Sequence, residues 1–415
     1  MKSYISRAMK IQKRIEEMAS CSDDENVLSR VFGTKSFIDC NQKIAAWMSG
    51  SGLQTQIDNI GNVRGKLMSN NPNARTLVIG SHYDSVINAG RYDGPLGILA
   101  GMDIAEQIIG QKKQLPFHLE IIAFSEEEGV RFSTAYMGSR AVAGNFDPHI
   151  LAYKDESGIA VSTVLETMKC QSALISEDCI PEKEWLAYLE IHIEQGPVLY
   201  EKNIPVGIVS AISGQRRVEI LFSGEAGHAG TVPMNMRKDA LAAAAHFIVG
   251  VEEYASHERR NVVATVGKIV VPNAAGNVIA GNVFCTLDLR SPDQARLAKA
   301  YEALNILCEE ICRKRNIYFE WKLVMETEPV ICDESLKSLL SHSIKRKNIE
   351  SVSLVSGAGH DAVIISKVAP VVMLFVKCFK GISHNPLENV EIEDIAAAIE
   401  VTDDFINRLA SQYSK

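Results

Sequence analysis

Residues 76–105, TLVIGSHYDSVINAGRYDGPLGILAGMDIA, decide how the first part of this chain folds. They predict a buried strand, a glycine-rich loop and a helix, because an apolar run precedes the glycines and a helical pattern follows them. His82 and Asp84 lie two residues apart where the strand ends, so their side chains are expected to point the same way and to touch. A carboxylate beside a histidine fixes its tautomer and strengthens it as a metal ligand.

Asp93 lies in the loop of this stretch, where glycines allow tight turns that can return its carboxylate to His82. The alternative is purely structural, with Asp84 as a turn residue and Asp93 as a helix cap, as in most isolated Asp-Gly pairs. By itself the stretch indicates a metal site only weakly. Further ligands have to come from other parts of the chain.

The composition is that of a globular protein. The chain has 415 residues, 46% of them hydrophobic and 23% charged, and a net charge of -8. This length favours two domains, and the negative charge argues against nucleic acid or an anionic membrane as a partner. The sequence has no uninterrupted apolar run of about 18 residues, so we expect no membrane helix. The N-terminal sequence predicts an amphipathic helix and no signal peptide. Nine cysteines without paired spacing predict reduced thiols and a cytoplasmic location.

Strands alternate with helices in this part of the sequence, which predicts an α/β layer with a partly parallel sheet. In such sheets ligands gather at the carboxyl ends of the strands. The apolar strand predicted at 119–124 runs directly into three carboxylates, Glu126, Glu127 and Glu128. Such a triplet is usually a solvated helix face. At the end of a buried strand, however, the charges repel one another unless a cation neutralises them, which favours a metal.

Two more histidines lie at the end of a predicted strand or after one. His192 closes the strand at 186–193, and His384 comes after the strand at 371–376. A single histidine on a strand is more often a core residue with an internal hydrogen bond. The position at the polar end of a strand instead favours a role as a ligand.

From residue 213 the pattern changes to a self-contained unit. Its predicted elements are a strand at 217–222, a helix at 236–256, strands from 262 and at 283–289, a helix at 292–315 and a strand at 317–321. This β-α-β-β-α-β order is typical of the ferredoxin-like arrangement. We therefore predict an α/β fold, in which a mixed-sheet catalytic domain (1–212 and 328–415) contains an inserted ferredoxin-like α+β domain (213–327).

Five candidate ligands come from the strand ends and the loops that follow them: His82, Asp93, Glu128, His192 and His384. Imidazole and carboxylate without thiolate suit Zn²⁺, Mn²⁺ or another borderline divalent ion. Five ligands are too many for one tetrahedral ion that keeps a water molecule. They fit two ions that share a bridging carboxylate.

Seven sequence blocks resemble the amidase and carbamoylase branch of the dinuclear metallopeptidase family that includes aminoacylases. In order they are GSHYDSV with GRYDGPLG, FSEEEGVRF, LEIHIEQGPVL, GHAGTVPM, LDLR, SGAGHDA and ISHNP, and they span about residues 50–400. Within this branch, GQRR at 214–217 followed by GHAGTVPM is most similar to allantoate amidohydrolases. N-carbamoyl-L-amino-acid hydrolases tend to carry apolar residues where this chain has QRR.

The resemblance implies a role for each candidate ligand. Asp93 would bridge two ions, with His82 and His192 on one ion and Glu128 and His384 on the other. Glu127 would be the general base that takes a proton from the attacking water, and Asp84 would orient His82.

The resemblance also implies residues that contact the substrate. His228 is the candidate for stabilising the oxyanion, and the substrate-binding candidates are Gln195, Gln215, Arg216, Asn277, Arg290 and His360. Arg290 suits a carboxylate because its guanidinium binds both oxygens. The alternative for Arg290 is a surface ion pair with Asp288 or Asp293.

The leading hypothesis is hydrolysis of allantoate at a carbamoyl group, with an N-carbamoyl-L-amino-acid hydrolase, or a β-ureidopropionase-like enzyme, as the alternative. The substrate would be a small anionic ureido compound, with no nucleic acid and no membrane as partners. A binding protein without catalysis predicts a missing ligand or base, and a peptidase is disfavoured by Arg290 and Asn277. The relatives further imply a homodimer whose inserted domain acts as a lid and carries the dimer contact, with His228 acting in its own or the neighbouring subunit.

Overall fold

A computed structural model describes residues 2–258 and 261–413. The α-helices are α1 (Lys2–Ala19), α2 (Lys35–Gly50), α3 (Pro95–Gly110), α4 (Met137–Val142), α5 (Val161–Thr167), α6 (Val198–Lys202), α7 (Ala240–His257), α8 (Gln294–Arg315), α9 (Glu334–Arg346), α10 (Ala362–Ile365) and α11 (Ile392–Tyr413). Short 3-10 helices lie at Pro148–Ala152, Ser172–Asp178, Glu182–Glu184, Met234–Met236 and Phe379–Gly381.

The strands are β1 (Gln54–Ile57), β2 (Val63–Leu67), β3 (Thr76–His82), β4 (His118–Phe124), β5 (Trp185–Ile193), β6 (Val206–Ile212), β7 (Gly214–Ser223), β8 (Gly227–His228), β9 (Val263–Val270), β10 (Val278–Ile279), β11 (Asn282–Ser291), β12 (Tyr318–Thr327), β13 (Val330–Ile331), β14 (Ser353–Ser356) and β15 (Val371–Val376). The chain divides into two units. One contains the residues up to Ser210 and from Cys332 onward, and the other is Ala211–Ile331.

The first unit is built on a mixed sheet. Its strands lie in the order β1-β2-β4-β3-β5-β15-β6, and β14 pairs with β6. The neighbours β4, β3, β5 and β15 pair in parallel, whereas β1, β2 and β6 join by antiparallel pairing. The carboxyl ends of the four parallel strands therefore meet at one edge, where ligands of α/β proteins bind.

The four parallel strands lie at the centre of the first unit, and both of their faces are covered. Every residue of β3, β4, β5 and β15 is buried, as continuous apolar runs predict for parallel strands. Helix α3 begins at Pro95, where the fixed φ of proline suits the first turn, and it is apolar on most of its surface. The loop between β3 and α3 is thus held between two buried elements.

The second unit is a four-stranded antiparallel sheet in the order β12-β7-β11-β9, with a separate β8-β10 pair. Helices α7 and α8 connect its strands in the order β7-α7-β9-β11-α8-β12. Alternate residues of β11, such as Leu287 and Leu289, are buried in its core, while Asp288 and Arg290 lie on the opposite face. Side chains alternate along a strand, so this pattern leaves a polar sheet face.

The predicted α/β fold class is confirmed, and most elements lie where the sequence predicts them. The helix predicted after the glycine-rich loop is α3, and the strand predicted at 371–376 matches the observed bounds of β15. Helix α7 begins at Ala240 and not at 236, because Asp239 accepts hydrogen bonds from the first backbone N–H groups and so caps the helix there. Strand β12, which was predicted at 317–321, extends to Thr327, six residues beyond the predicted end. The sequence patterns did not predict β6.

Two expectations from composition can be compared with the described residues. Among them, no helix is long and apolar enough to cross a membrane. All nine cysteines are free thiols, and eight of them are buried. The thiols therefore act as small apolar packing residues in this fold.

Candidate metal centre

The carboxylate of Asp93 lies among three imidazoles. Asp93 Oδ1 is 3.0 Å from His192 Nε2 and 3.5 Å from His82 Nε2, and Asp93 Oδ2 is 3.2 Å from His384 Nε2. His384 Nε2 is also 3.5 Å from Glu128 Oε1. Asp93, His82 and His192 are buried, whereas the His384 side chain is 49% exposed. One oxygen of Asp93 thus faces an inner pair of histidines and the other faces an outer histidine.

The fold determines this arrangement through two neighbouring strands and one glycine. His82 is the last residue of β3 and His192 the last but one of β5, so their rings stack with centroids 5.8 Å apart. Gly94 has φ 83°, and a Cβ there would lie 2.3 Å from the carbonyl oxygen of His82. Only glycine combines this conformation with such a close approach, so Gly94 lets the loop carry Asp93 back to His82.

Asp84 connects the β3 loop to the carboxylates after β4. Its Oδ1 and Oδ2 accept hydrogen bonds from the backbone N–H groups of Glu127 and Glu128, both at 3.0 Å. Strand β3 ends at His82, so the predicted alternation of faces does not extend to Asp84. His82 Nδ1 instead lies 3.2 Å from the carbonyl oxygen of Asp84 and 3.7 Å from its carboxylate. Asp84 therefore holds the histidine with its backbone and the glutamates with its side chain.

The carboxylates of this cluster are strongly perturbed. Burial raises the pKa of Glu127 well above its usual range, with Glu128 and Asp361 adding repulsion. Burial and the charge of Asp93 raise the pKa of Glu128 to about 7. Burial alone would raise the pKa of Asp93, but the three histidines that face its carboxylate hold it well below its usual range. Burial and mutual repulsion thus disfavour the charged form of these carboxylates, and a cation bound among them would relieve both effects.

The donor atoms fit divalent cations. The five candidate ligands form two three-residue groups, His82-Asp93-His192 and Asp93-Glu128-His384. Within each group the ligand atoms lie within 4.8 Å of one another. Glu127 joins His82 and Glu128 in a third such group. His192 Nε2 is buried and has no hydrogen-bond partner among the described residues, although it faces Asp93. Nitrogen and oxygen donors that face each other in this way, without sulfur, suit Zn²⁺ or Mn²⁺.

Two further residues at this edge were not identified from the sequence. Ser383 Oγ donates to Asp93 Oδ2 at 3.0 Å, and Glu388 Oε1 accepts from the backbone N–H groups of Tyr92 and Asp93. Burial and the charge of Asp93 raise the pKa of Glu388 to about 7. Their only signal in the sequence is proximity to His384, because nothing local indicates that Glu388 is buried. Gln195, which was predicted, donates from Nε2 to Asp93 Oδ2 at 2.9 Å.

His360 lies behind the inner histidines. Its ring centroid is 4.5 Å from that of His192, and its Nε2 is 2.8 Å from Ser356 Oγ. Burial and the positive charge of His192 lower the pKa of His360 well below its usual range. His360 therefore supports His192 by packing against its ring.

In the second unit, Arg290 lies in an ion pair on the polar face of the sheet. Arg290 donates to both oxygens of Asp288, from Nε at 2.7 Å and from Nη2 at 3.0 Å. Gln215 and Arg217, on the adjacent strand β7, donate to Asp288 as well. The ion pair with Asp288 was the structural alternative that the sequence left open for Arg290.

The other predicted residues of the second unit are more exposed or paired. Arg216 donates from Nε to Glu326 at 2.8 Å, and its guanidinium lies over the ring of Tyr301. His228 and Asn277 are exposed, and His228 Nδ1 accepts from the backbone N–H of Gly230. These residues therefore lie on one independent unit, apart in sequence from all five candidate ligands.

Comparison with known proteins is consistent with this geometry. The model of peptidase family M20/M25/M40 matches residues 78–408. Allantoate deiminase 2 of Glycine max is 38% identical over 96% of this chain and 88% of its own length. An N-carbamoyl-L-amino acid amidohydrolase of Geobacillus stearothermophilus is 37% identical over 86% of this chain and 87% of its own.

A solved structure of an amidase of the hydantoinase/carbamoylase family from Burkholderia multivorans superimposes with a TM-score of 0.90. It is 30% identical and covers 97% of this chain and 98% of that one. The resemblance inferred from the sequence blocks is thereby confirmed. This chain belongs to peptidase family M20/M25/M40.

Proposed function

We propose that this protein is a metal-dependent amidohydrolase that cleaves the carbamoyl C–N bond of allantoate, giving ureidoglycine, ammonia and carbon dioxide. The observation that carries this proposal is the pair of three-residue ligand groups that share Asp93. Such a centre suits hydrolysis of an unreactive amide-type bond by water. The substrate class comes from two of the similar proteins described above, which are named for allantoate and for N-carbamoyl-L-amino acids.

The proposed cofactors are two divalent ions, Zn²⁺ or Mn²⁺, per chain. His82, Asp93 and His192 would hold one, and Asp93, Glu128 and His384 the other. When bound, such ions polarise a carbonyl group and lower the pKa of water. Gln195, which donates to Asp93 Oδ2, would orient the bridging carboxylate and lie beside the substrate.

Glu127 is the proposed general base. Its carboxylate would accept a proton from the attacking water and pass that proton to the departing nitrogen. The raised pKa of Glu127, caused first by burial, suits a group that must accept a proton and then release it. Asp84, which accepts the backbone N–H of Glu127, would hold the base in position.

The inserted unit is proposed to act as a lid that binds the anionic end of the substrate. Arg290 would bind the carboxylate, His228 would stabilise the oxyanion, and Asn277 would hydrogen-bond to the ureido group. The other proposed substrate contacts are Gln215, Arg216 and His360. Asp288 supports the role of Arg290 by fixing the plane of its guanidinium.

A homodimer is the proposed assembly, through the inserted unit. Strand β9 forms an edge of the four-stranded sheet in the described chain. Three of its apolar side chains are exposed, Val263, Ile269 and Val270. An exposed apolar edge strand readily pairs with another chain, and a symmetric copy would cover it. The free thiols suit a reducing compartment, which supports the proposed cytoplasmic location.

The second candidate function is hydrolysis of N-carbamoyl-L-amino acids, including β-ureidopropionase-like activity. It is favoured by the relative from Geobacillus stearothermophilus, which is nearly as similar as the allantoate deiminase. Both activities use the same metal centre, so the substrate pocket alone separates them.

Ammonia release from allantoate, compared with a panel of N-carbamoyl-L-amino acids, tests the proposal. The protein should first be loaded with Mn²⁺ or with Zn²⁺. We expect allantoate to give the highest kcat/KM. Turnover of an N-carbamoyl amino acid without turnover of allantoate would establish the second candidate instead. Absence of turnover with every ureido substrate would contradict both.

A further inference from the structure

Glu388 makes contacts that the proposed reaction does not use. Its side chain is buried, with 2% exposed, although no candidate ligand group includes it. Glu388 Oε1 accepts from the backbone N–H of Tyr92 at 2.7 Å and from that of Asp93 at 3.1 Å. A carboxylate that binds two successive backbone N–H groups fixes the path of that loop.

The second oxygen of Glu388 reaches the side chain of Asp93 through one hydroxyl group. Ser383 Oγ lies 2.9 Å from Glu388 Oε2 and 3.0 Å from Asp93 Oδ2. Ser383 directly precedes His384, so the same contacts tie the loop that carries His384 to the loop that carries Asp93. The two loops are nearly 300 residues apart in sequence.

Gly90 provides the space for this carboxylate. A Cβ at position 90 would lie 2.1 Å from Glu388 Cδ and 2.2–2.3 Å from its two oxygens. Gly90 does not have a positive φ, so the backbone would accept alanine. Glycine is therefore needed at position 90 to leave room for the Glu388 carboxylate. It is not needed for a backbone conformation that only glycine adopts.

We propose that Glu388 is a positioning residue for the metal centre, which sets Asp93 and His384 in one geometry through the N–H groups of Tyr92 and Asp93 and the hydroxyl of Ser383. This inference rests on the two-ion centre of the proposed function. Residues that orient a ligand through hydrogen bonds change metal affinity by about 10-fold to 100-fold when removed. Glu388 therefore acts on the ions without touching them.

The test measures the affinity of the folded protein for Zn²⁺ and Mn²⁺ by competition with a chelator. Glu388→Ala should weaken binding of at least one ion by about 10-fold to 100-fold. Glu388→Gln should stay within about 3-fold of the unmodified protein, because its amide oxygen still accepts from both N–H groups and its nitrogen donates to Ser383. Equal affinities in Glu388→Ala and the unmodified protein would overturn the proposal.

Gly90→Ala gives a second test that leaves Glu388 in the chain. The new methyl group should displace the carboxylate and weaken metal binding as much as Glu388→Ala does. In the double variant Gly90→Ala/Glu388→Ala the methyl group has free space, so the two losses should not add. Additive losses, or unchanged metal binding in Gly90→Ala, would contradict the proposal.

Asp178→Ala is the matched control, since Asp178 is a buried carboxylate that binds the distant residue Asn59 through two N–H donors. It should lower the melting temperature and leave metal affinity unchanged. If it weakens metal binding as much as Glu388→Ala, the effect is general destabilisation and the proposal fails. If the unmodified protein itself binds fewer than two ions, the two-ion centre of the proposed function is wrong. This outcome is distinct from failure of the Glu388 proposal, which only the variants can show.

Discussion

The cluster around Asp93 and the polar sheet face around Asp288 are organised in different ways. Asp84 and Glu388 hold the first cluster through backbone N–H groups, and most of its members are buried. On the sheet face, Arg290, Arg217 and Gln215 are held by the side chain of Asp288, and the two arginines are partly exposed. Ligands of metal ions need a fixed geometry before binding, whereas residues that bind a substrate can exchange one carboxylate for another.

The largest effect is expected for Glu127→Gln. The amide cannot take a proton, so kcat should fall by about 100-fold to 10,000-fold, the range attributed to a general base. Metal content, measured by elemental analysis, should stay unchanged because Glu127 belongs to neither proposed ligand set. Near-normal turnover would remove Glu127 as the base.

A smaller effect is expected for Asp84→Asn, which tests whether the first cluster depends on its backbone contacts. The amide nitrogen cannot accept the N–H of Glu127 or Glu128, so metal affinity or kcat should fall by about 10-fold to 100-fold. Steady-state kinetics and chelator competition would measure the two quantities. Retention of both would show that the loop after β4 holds its shape without Asp84.

Arg290→Lys tests the sheet face. Lysine keeps the charge but not the planar pair of donors, so kcat/KM for a carboxylate substrate should fall by about 10-fold, mainly through KM. Arg217→Lys is the matched control, because Arg217 also pairs with Asp288 and has no assigned substrate contact. Equal losses in both variants would mean that the ion pair with Asp288, and not a substrate contact, explains the effect.

The smallest effect is expected for Arg216→Ala compared with Glu326→Ala. Both substitutions break the same partly exposed ion pair, which contributes about 1 kcal/mol or less to the free energy of unfolding. Only Arg216→Ala should raise KM, by about 3-fold. An identical KM in the two variants would remove Arg216 from the substrate pocket and leave it as a structural residue.

The structure brings the five ligand candidates together, and the sequence indicated them because each lies at the end of a buried strand or in the loop after it. His82 and His192 lie at the ends of β3 and β5, and apolar runs make such strands visible without a structure. Glu388 and Gly90 were not identified, because their roles come from a contact between loops nearly 300 residues apart. The role of the Asp84 carboxylate was predicted incompletely for the same reason, since its partners lie on the loop after β4.

The start of helix α7 and the position of strand β6 illustrate the same limit. Helix α7 was predicted to begin at 236, where helix-forming residues begin in the sequence. It begins at Ala240 because Asp239 caps it. Strand β6 was not predicted, although it pairs with β15 beside the metal centre. Local patterns thus identify buried strands and helices, whereas caps and long-range pairs depend on the assembled fold.

We propose that Asp93 joins two ions into one site. The most direct test of this proposal is the number of Zn²⁺ or Mn²⁺ ions bound per chain by the unmodified protein and by Asp93→Ala, measured by calorimetric titration with elemental analysis. We expect two ions per chain in the unmodified protein and weaker binding of both in the variant. A single bound ion in the unmodified protein, or two ions with unchanged affinity in Asp93→Ala, would contradict it.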